Sequence, residues 1–288
     1  MIAPGSETSA LGEVFAALRA DTGAHVPGCA AYLSLKAKAR SEIVRLFSGT
    51  EPEQRPFGPF GTLALPYTKM GAIDSLDLFG LDELIIFAFY DANRGRYGNV
   101  LDIGANLGLH SLILGKCGFS VRAFEPDPRH FGILSANLKA NGQTRVEAVE
   151  AAVSTRDGVA EFVRVLGNTT GSHLSGAKQS YGERDVFTVP VRAASPLFEW
   201  ASLAKIDAEG HEKEILLAST RHDFEHLDVM VEVGSAANAE GIFHYFTELG
   251  VGMFPQKLAW QKAANAADLP TSHRDGSLFL SAKDRMPW

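Results

Sequence analysis

From residue 99 onward, short apolar runs alternate with segments of helical period, and few folds accommodate that rhythm. Residues 100–103, 120–124 and 145–149 read as strands, with helices at 107–116 and 128–140 between them, the second stopped by Asn141 and Gly142. The rhythm resumes with strands at 204–206 and 229–233 and helices at 211–218 and 239–249, and the runs 251–254 and 277–281 read as closing strands. Strand–helix–strand units of this kind pack as a parallel sheet with helices on both faces. The expectation is a doubly wound α/β fold with a mostly parallel, seven-stranded, Rossmann-like sheet.

Two stretches lie outside that rhythm. Residues 1–95 read as a helical N-terminal appendage and linker, leaving 96–288 as the core domain. Leu11, Val14, Phe15 and Leu18 follow helical spacing after a cap at Thr8 or Ser9, a second helix spans 30–47 before Gly49, and a third spans 81–92. Pro52, Pro56 and Pro59 with Gly58 and Gly61 mark the linker. Within the core, 159–163 and 186–191 read as a hairpin arm, and the Gly/Ser/Thr-rich segment 166–184 reads as a weakly ordered loop that shapes an acceptor pocket.

A turn with two glycines follows the first core strand: Asp102-Ile103-Gly104-Ala105-Asn106-Leu107-Gly108. Gly104 and Gly108 would let the backbone approach a ligand, and the next helix would offer free N–H groups to an anionic part of it. In an open α/β sheet ligands bind at this strand end. Glu125 ends the next strand about twenty residues on, where a carboxylate can accept from the two ribose hydroxyls of an adenosine; the plain alternative is a solvated carboxylate. The turn departs from the GxGxxG spacing of pyrophosphate-binding loops. S-adenosylmethionine has no phosphate, and Asp102 could serve its ammonium group directly or through water.

The stretch Lys205-Ile206-Asp207-Ala208-Glu209-Gly210-His211-Glu212 ends the fourth core strand, which should neighbour the first in a doubly wound sheet. Methyl transfer from a sulfonium is an in-line displacement that needs positioning and, for a hydroxyl acceptor, removal of a proton. Asp207, Glu209 and His211 cluster where such a base would stand. The competing reading has one of them capping the following helix and the others solvated.

With LDIGANLGLHSL, AFEPDP, KIDAEGHEKEIL and a VEV strand in this order, residues 97 to 282 resemble the FkbM family of methyltransferases. The resemblance implies a class I S-adenosylmethionine-dependent fold and, for most of the family, O-methylation of natural products and glycans. Carried over by position, Asp102, Gly104, Asn106 and Gly108 would hold the methionine part and Glu125 the ribose; Ala105 and Asp207 are further candidates for the cofactor site, Asp207 standing by the reaction centre from its place at the strand end. Glu150 and Ala151 would lie beside the adenine, although Glu150 departs from the family's Asn-like residue there.

Composition narrows the partners. The net charge is −7 and no Lys/Arg run is present, which argues against nucleic acid, whose binding relies on phosphate neutralisation. The strongest apolar run, 84–90, is far short of the roughly 20 residues of a membrane helix, and the N-terminus lacks a signal-peptide pattern. The chain therefore reads as cytoplasmic, with a small-molecule or glycan acceptor and no membrane contact. Cys117 reads as core packing and His110 as structural, whereas His173 sits in the polar loop near the acceptor. Asp207, Glu209 and Glu232 are oxygen ligands of the type magnesium takes, but their spacing is not diagnostic and the resemblance requires no metal, so none is expected. Two rival readings are an N-methyltransferase acting on nucleic acid or protein, and a non-catalytic module that binds an adenosine ligand. The N-terminal helices could also serve homodimerisation.

Overall fold

The computed structural model describes residues 9–178 and 182–288. Helices α1 (Ala10–Ala20) and α2 (Ala30–Phe47) precede a small ladder of β1 (Arg55–Pro56) and β2 (Thr62–Leu63), and α3 (Leu81–Ala92) leads into the core. There follow β3 (Asn99–Ile103), α4 (Leu109–Lys116), β4 (Ser120–Phe124), α5 (Pro128–Ala140) and β5 (Val146–Val149). An inserted arm contains β6 (Ala152–Ser154), β7 (Gly158–Val165), β8 (His173–Leu174) and β9 (Arg184–Ala193). The chain closes through α6 (Ala194–Trp200), β10 (Leu203–Ile206), α7 (Glu212–Leu216), β11 (Asp228–Val231), α8 (Ala236–Glu248), β12 (Gly252–Pro255) and β13 (Leu278–Ser281).

Local chemistry accounts for the helix boundaries. Ser9 caps α1 by accepting from the Gly12 N–H at 3.0 Å; the alternative cap Thr8 lies outside the described residues. Asp127 caps α5 with Pro128 at its first position, and Ser235 caps α8. Cys29 caps α2, its sulfur accepting from the Tyr32 N–H at 3.3 Å. Helix α4 starts at Leu109, two residues later than the periodicity indicates, because Asn106 and Gly108 both have left-handed backbones that helical geometry excludes. Glu209 and Gly210 likewise have left-handed backbones just before α7, which spans five residues.

The main sheet has seven strands in the order β12-β13-β11-β10-β3-β4-β5. All neighbouring pairs are parallel except those made by β13, which runs antiparallel to both β11 and β12. This is the doubly wound Rossmann-like α/β fold. The chain winds outward from β3 to β5 on one side and from β10 to β11 on the other, so the switch point lies between β3 and β10. The arm is a second sheet in which β7 and β9 pair antiparallel over eight residue pairs, as the hairpin reading requires. Strand β6, which has no alternating pattern to announce it, adds in parallel to β9. Segment 166–184 holds more structure than its composition suggests: a 3₁₀ turn at Thr169–Gly171 and β8 paired with β7. Residues 179–181 of that segment lie outside the described residues.

Each face of the sheet buries its own core. Leu101 and Ile103 of β3 pack with Phe198, Ile215 and Phe246 on one face. Val100, one residue earlier and therefore on the other face, packs in a cluster that also takes in Leu11, Phe15, Phe57 and Phe87 from the N-terminal segment. Phe57 is fully buried there, with its ring 5.6 Å from Phe15, 5.5 Å from Phe79 and 6.2 Å from Phe87 in edge-on contacts. Phe57→Ala is expected to cost about 3–5 kcal/mol, read as a lower denaturation midpoint in urea; a change near zero would show that this cluster contributes little to holding the N-terminal helices on the sheet.

Candidate active site

Strands β3 and β10 run side by side, with Asp102 opposite Lys205 and Ile103 opposite Ile206. The turns that follow them meet at once. Gly104 has φ +79°, and a Cβ built there would stand 1.7 Å from the Asp207 carbonyl oxygen. The neighbouring turn thus requires the glycine. The N–H groups of the turn itself are largely engaged within the protein. Those of Gly104 and Ala105 both donate to the Phe124 carbonyl at 3.0 Å, and that of Gly108 donates to Ala105 at 2.8 Å. The Asn106 N–H donates to Glu125 Oε2 at 2.7 Å. Gly108 serves as the left-handed cap of α4 and packs its backbone against Leu134.

Glu125 is buried at the end of β4. Its Oε1 accepts from the Asp127 N–H at 2.9 Å, so each carboxylate oxygen holds one backbone donor and keeps further acceptor capacity. Burial pushes its pKa up to about 8, against the pull of those two N–H groups. Asp102 is completely buried. Its Oδ2 accepts from Ser111 Oγ at 2.5 Å, while Oδ1 has no hydrogen-bond partner and lies 3.9 Å from Lys205 Nζ.

A cavity of about 320 Å³ opens over these strand ends. Gly104, Ala105, Asn106, Glu125 and Ala151 line it together with Asp207, Glu209 and His211. Asp102 and Gly108 stand behind the lining. Glu150 is exposed and does not line the cavity, so the adenine-side expectation holds a place in the wall only for Ala151. The roof has two parts, the turn around Ile73 and the arm segment around Thr169. Backbone hydrogen bonds zip them together, Ala72 N–H to Gly167 O at 2.7 Å and Thr169 N–H to Met70 O at 3.0 Å. Arg164 fastens the arm below, donating from Nε and Nη2 to the two oxygens of Asp127 at 2.7 and 2.6 Å. His173 is buried beside the Gly171 carbonyl and does not line the cavity.

The reaction-side turn is held by Glu212, whose carboxylate accepts from the N–H groups of Ala208 at 3.0 Å and Gly210 at 2.9 Å. That capping role, considered for its neighbours, falls to Glu212. Asp207 Oδ2 lies 3.3 Å from Lys205 Nζ. Glu209 pairs with Lys178 at 2.6 Å, and burial, then the charge of Asp207, push its pKa up to about 7. His211 Nε2 is 2.8 Å from Ser154 Oγ, and burial lowers its pKa.

Among the lining residues to which the sequence reading gave no site role are Lys205, Glu83 and His110, the last read as structural. Lys205 is buried in β10; desolvation opposes its charge, but Asp207, Asp102 and Glu83 outweigh it and hold the ammonium above its ordinary pKa. A lysine inside an otherwise apolar strand was the available signal. Glu83 comes from α3, and His110 bridges it to Tyr90: Nε2 is 2.7 Å from Glu83 Oε2 and Nδ1 is 3.0 Å from the Tyr90 hydroxyl. No spacing pattern links residues 83, 90 and 110. Cys117, by contrast, is core as read, buried with its thiol pKa pushed up to about 12. Among the described residues no group of three or more His, Cys, Asp or Glu side chains could hold a metal ion, and no helix is long and apolar enough to cross a membrane.

The methyltransferase FkbM domain matches residues 102–255, more than half of the 288-residue chain. The chain belongs to this family. The cavity lies at the β3–β10 switch point, where open α/β sheets bind their ligands. No curated protein matches the chain significantly in sequence. Among solved structures, an rRNA methylase from Streptococcus thermophilus is 11% identical, with 66% of this chain and 90% of that one covered at a TM-score of 0.36. The precorrin-6y C5,15-methyltransferase from Geobacter metallireducens GS-15 is 14% identical, with 57% and 70% covered at 0.34. Likeness at that level does not bear on the acceptor.

Gly104→Ala combines a clash against backbone with a left-handed φ. A loss of roughly 3 kcal/mol of stability is expected, measured by denaturant unfolding. A fully stable variant would mean that the two turns do not close on each other.

Proposed function

We propose that this methyltransferase uses S-adenosylmethionine to methylate a hydroxyl group on a small molecule, natural product or sugar. The observation that carries the reading is the placement of Glu209: a carboxylate with a pKa of about 7 lining the cavity on the turn beside Gly104. A general base works best when its pKa lies near the working pH.

The wall suits the cofactor. Glu125 retains acceptor capacity for ribose hydroxyls, and the buried oxygens Asn106 Oδ1 and Asp102 Oδ1 lack hydrogen-bond partners. Such acceptors favour a donor-bearing occupant, as the ammonium end of S-adenosylmethionine is. Glu125 would hold the ribose, Asn106 the methionine end with Asp102 supporting it from behind the wall, and Ala151 would lie along the adenine. When bound, the cofactor supplies an electrophilic methyl group. Glu209 accepts the hydroxyl proton of the acceptor as its oxygen is methylated. Asp207, placed beside Lys205, is the neighbouring charge that helps raise the pKa of Glu209. His211, bonded to Ser154 and with its pKa lowered, is the remaining candidate. The acid-rich lining repels phosphate groups, which favours a small neutral or cationic acceptor over nucleic acid.

Mass spectrometry of a metabolite extract incubated with the protein and isotope-labelled S-adenosylmethionine tests the reading; a labelled product is expected. With that acceptor, Glu209→Gln should lower the rate by about 10²–10⁴-fold while cofactor affinity stays within a few-fold. The wild-type rate should fall as pH drops below about 7, where Glu209 becomes protonated. Full activity in Glu209→Gln with a dead Asp207→Asn moves the base to Asp207. Glu125→Ala should weaken cofactor binding by on the order of 2 kcal/mol, read by calorimetry on a variant shown to be folded. Unchanged affinity would remove Glu125 from the ribose site.

A further inference from the structure

The cavity holds more acid than binding a nucleoside requires. Asp207 and Glu209 follow β10, Glu232 follows β11, Glu83 reaches in from α3, and all four line one space. Two lysines face them: Lys205 at 3.3 Å from Asp207 and Lys178 at 2.6 Å from Glu209. Glu209 also feels the like charges of Asp207 and Glu212. Glu232 feels those of Asp207, Glu83 and Glu209 against Lys205, its one opposing charge. His211 on the same turn is bonded to Ser154, and His110 is bonded to Glu83. Behind this group, Asp102 Oδ1 is wholly buried and accepts no hydrogen bond; in the lining, Asn106 Oδ1 accepts none either. The unsatisfied Asn106 acceptor in the lining, beside these acids, calls for a cationic occupant.

Resting on the S-adenosylmethionine reading above, we propose that Glu83, Asp207, Glu209 and Glu232 make the cavity sense the charge of its cofactor. They hold cationic S-adenosylmethionine in preference to S-adenosylhomocysteine, the thioether left after transfer. The two molecules differ by one methyl group and the sulfonium charge, so comparing them isolates that charge. Selection of this sort clears the product and limits its inhibition.

The mechanism is proton linkage. Burial first, then Asp207, raises the pKa of Glu209 to about 7. Burial first, then Asp207, Glu83 and Glu209, raises that of Glu232 well above the ordinary carboxylate value. A cation in the cavity favours their ionised forms. Entry of the sulfonium therefore releases protons, and its affinity rises with pH, whereas the thioether leaves both groups as they were.

The test is calorimetric titration of the full chain with each molecule at pH values near 6, 7 and 8, and near pH 7 in phosphate and in Tris. The dissociation-constant ratio of thioether to sulfonium should rise at least about threefold across that range, with roughly half a proton more released per sulfonium bound near pH 7. Glu209→Gln combined with Glu232→Gln, checked for folding by circular dichroism, should abolish both effects. Should the double variant not fold, each single variant should lower the proton count, and a wild-type count in both overturns the proposal. A pH-independent ratio with equal proton counts in the wild type also overturns it, as does an effect that survives the double variant. If the wild type binds neither molecule, the S-adenosylmethionine reading falls and this proposal falls with it.

Discussion

A buried ammonium between two strand-end acids organises the site. Lys205 sits inside β10, 3.3 Å from Asp207 just past the end of that strand and 3.9 Å from Asp102 on β3. An ammonium out of water is costly unless paired, and truncating one partner of a buried pair leaves the other charge uncompensated. The lysine therefore couples the glycine turn to the reaction-side turn by charge, where the Gly104–Asp207 contact couples them by shape. Neither turn can shift alone. Glu125 completes the frame by gripping the Asn106 N–H from the next strand.

The fold was largely legible because its signals are local. Apolar runs separated by caps and stops mark the strands and helices one at a time, and α2, α3, β4 and α5 lie where periodicity places them. The handedness and packing rules of α/β units then leave few ways to assemble them, so the β3–β10 neighbourhood follows. The misses are equally physical. Strand β6 is three residues long and exists because β9 lies beside it. The early start read for α4 failed because two left-handed residues, Asn106 and Gly108, occupy positions that hydrophobic period alone cannot distinguish.

The site was legible only where chemistry follows chain order. Asp102, Gly104, Asn106 and Glu125 are close in sequence and follow strand ends, so a motif can point to them. The meaning of a motif residue is less secure than its location. Gly104 is a glycine because a neighbouring carbonyl leaves no room, and Asp102 is a second layer behind the wall, hydrogen-bonded to Ser111. Glu150 follows β5 as the motif indicates, yet solvent and not the cavity faces it. Glu83, His110 and Tyr90 form one chain of hydrogen bonds although 27 residues separate Glu83 from His110. No one-dimensional pattern encodes that encounter; it depends on how α3 crosses α4.

That crossing divides the cavity by origin. The segment matched by the family supplies the wall around Gly104, Glu125 and Ala151 and the turn from Asp207 to His211. Residues outside it supply Ile73 and Leu78 in the roof, Glu83 on the flank and His273 at the edge. A fold shared by many methyltransferases must keep its cofactor wall constant, whereas recognition of a particular acceptor has to come from parts free to vary. The N-terminal helices pack into the same hydrophobic cluster as β3 and β4, and that packing brings Glu83 to the cavity. A flexible extension could cover the site but could not fix a carboxylate against His110 and Tyr90. The aromatic cluster around Phe57 thus does more than stabilise the segment: by seating α3 it sets where the charge of Glu83 enters the cavity.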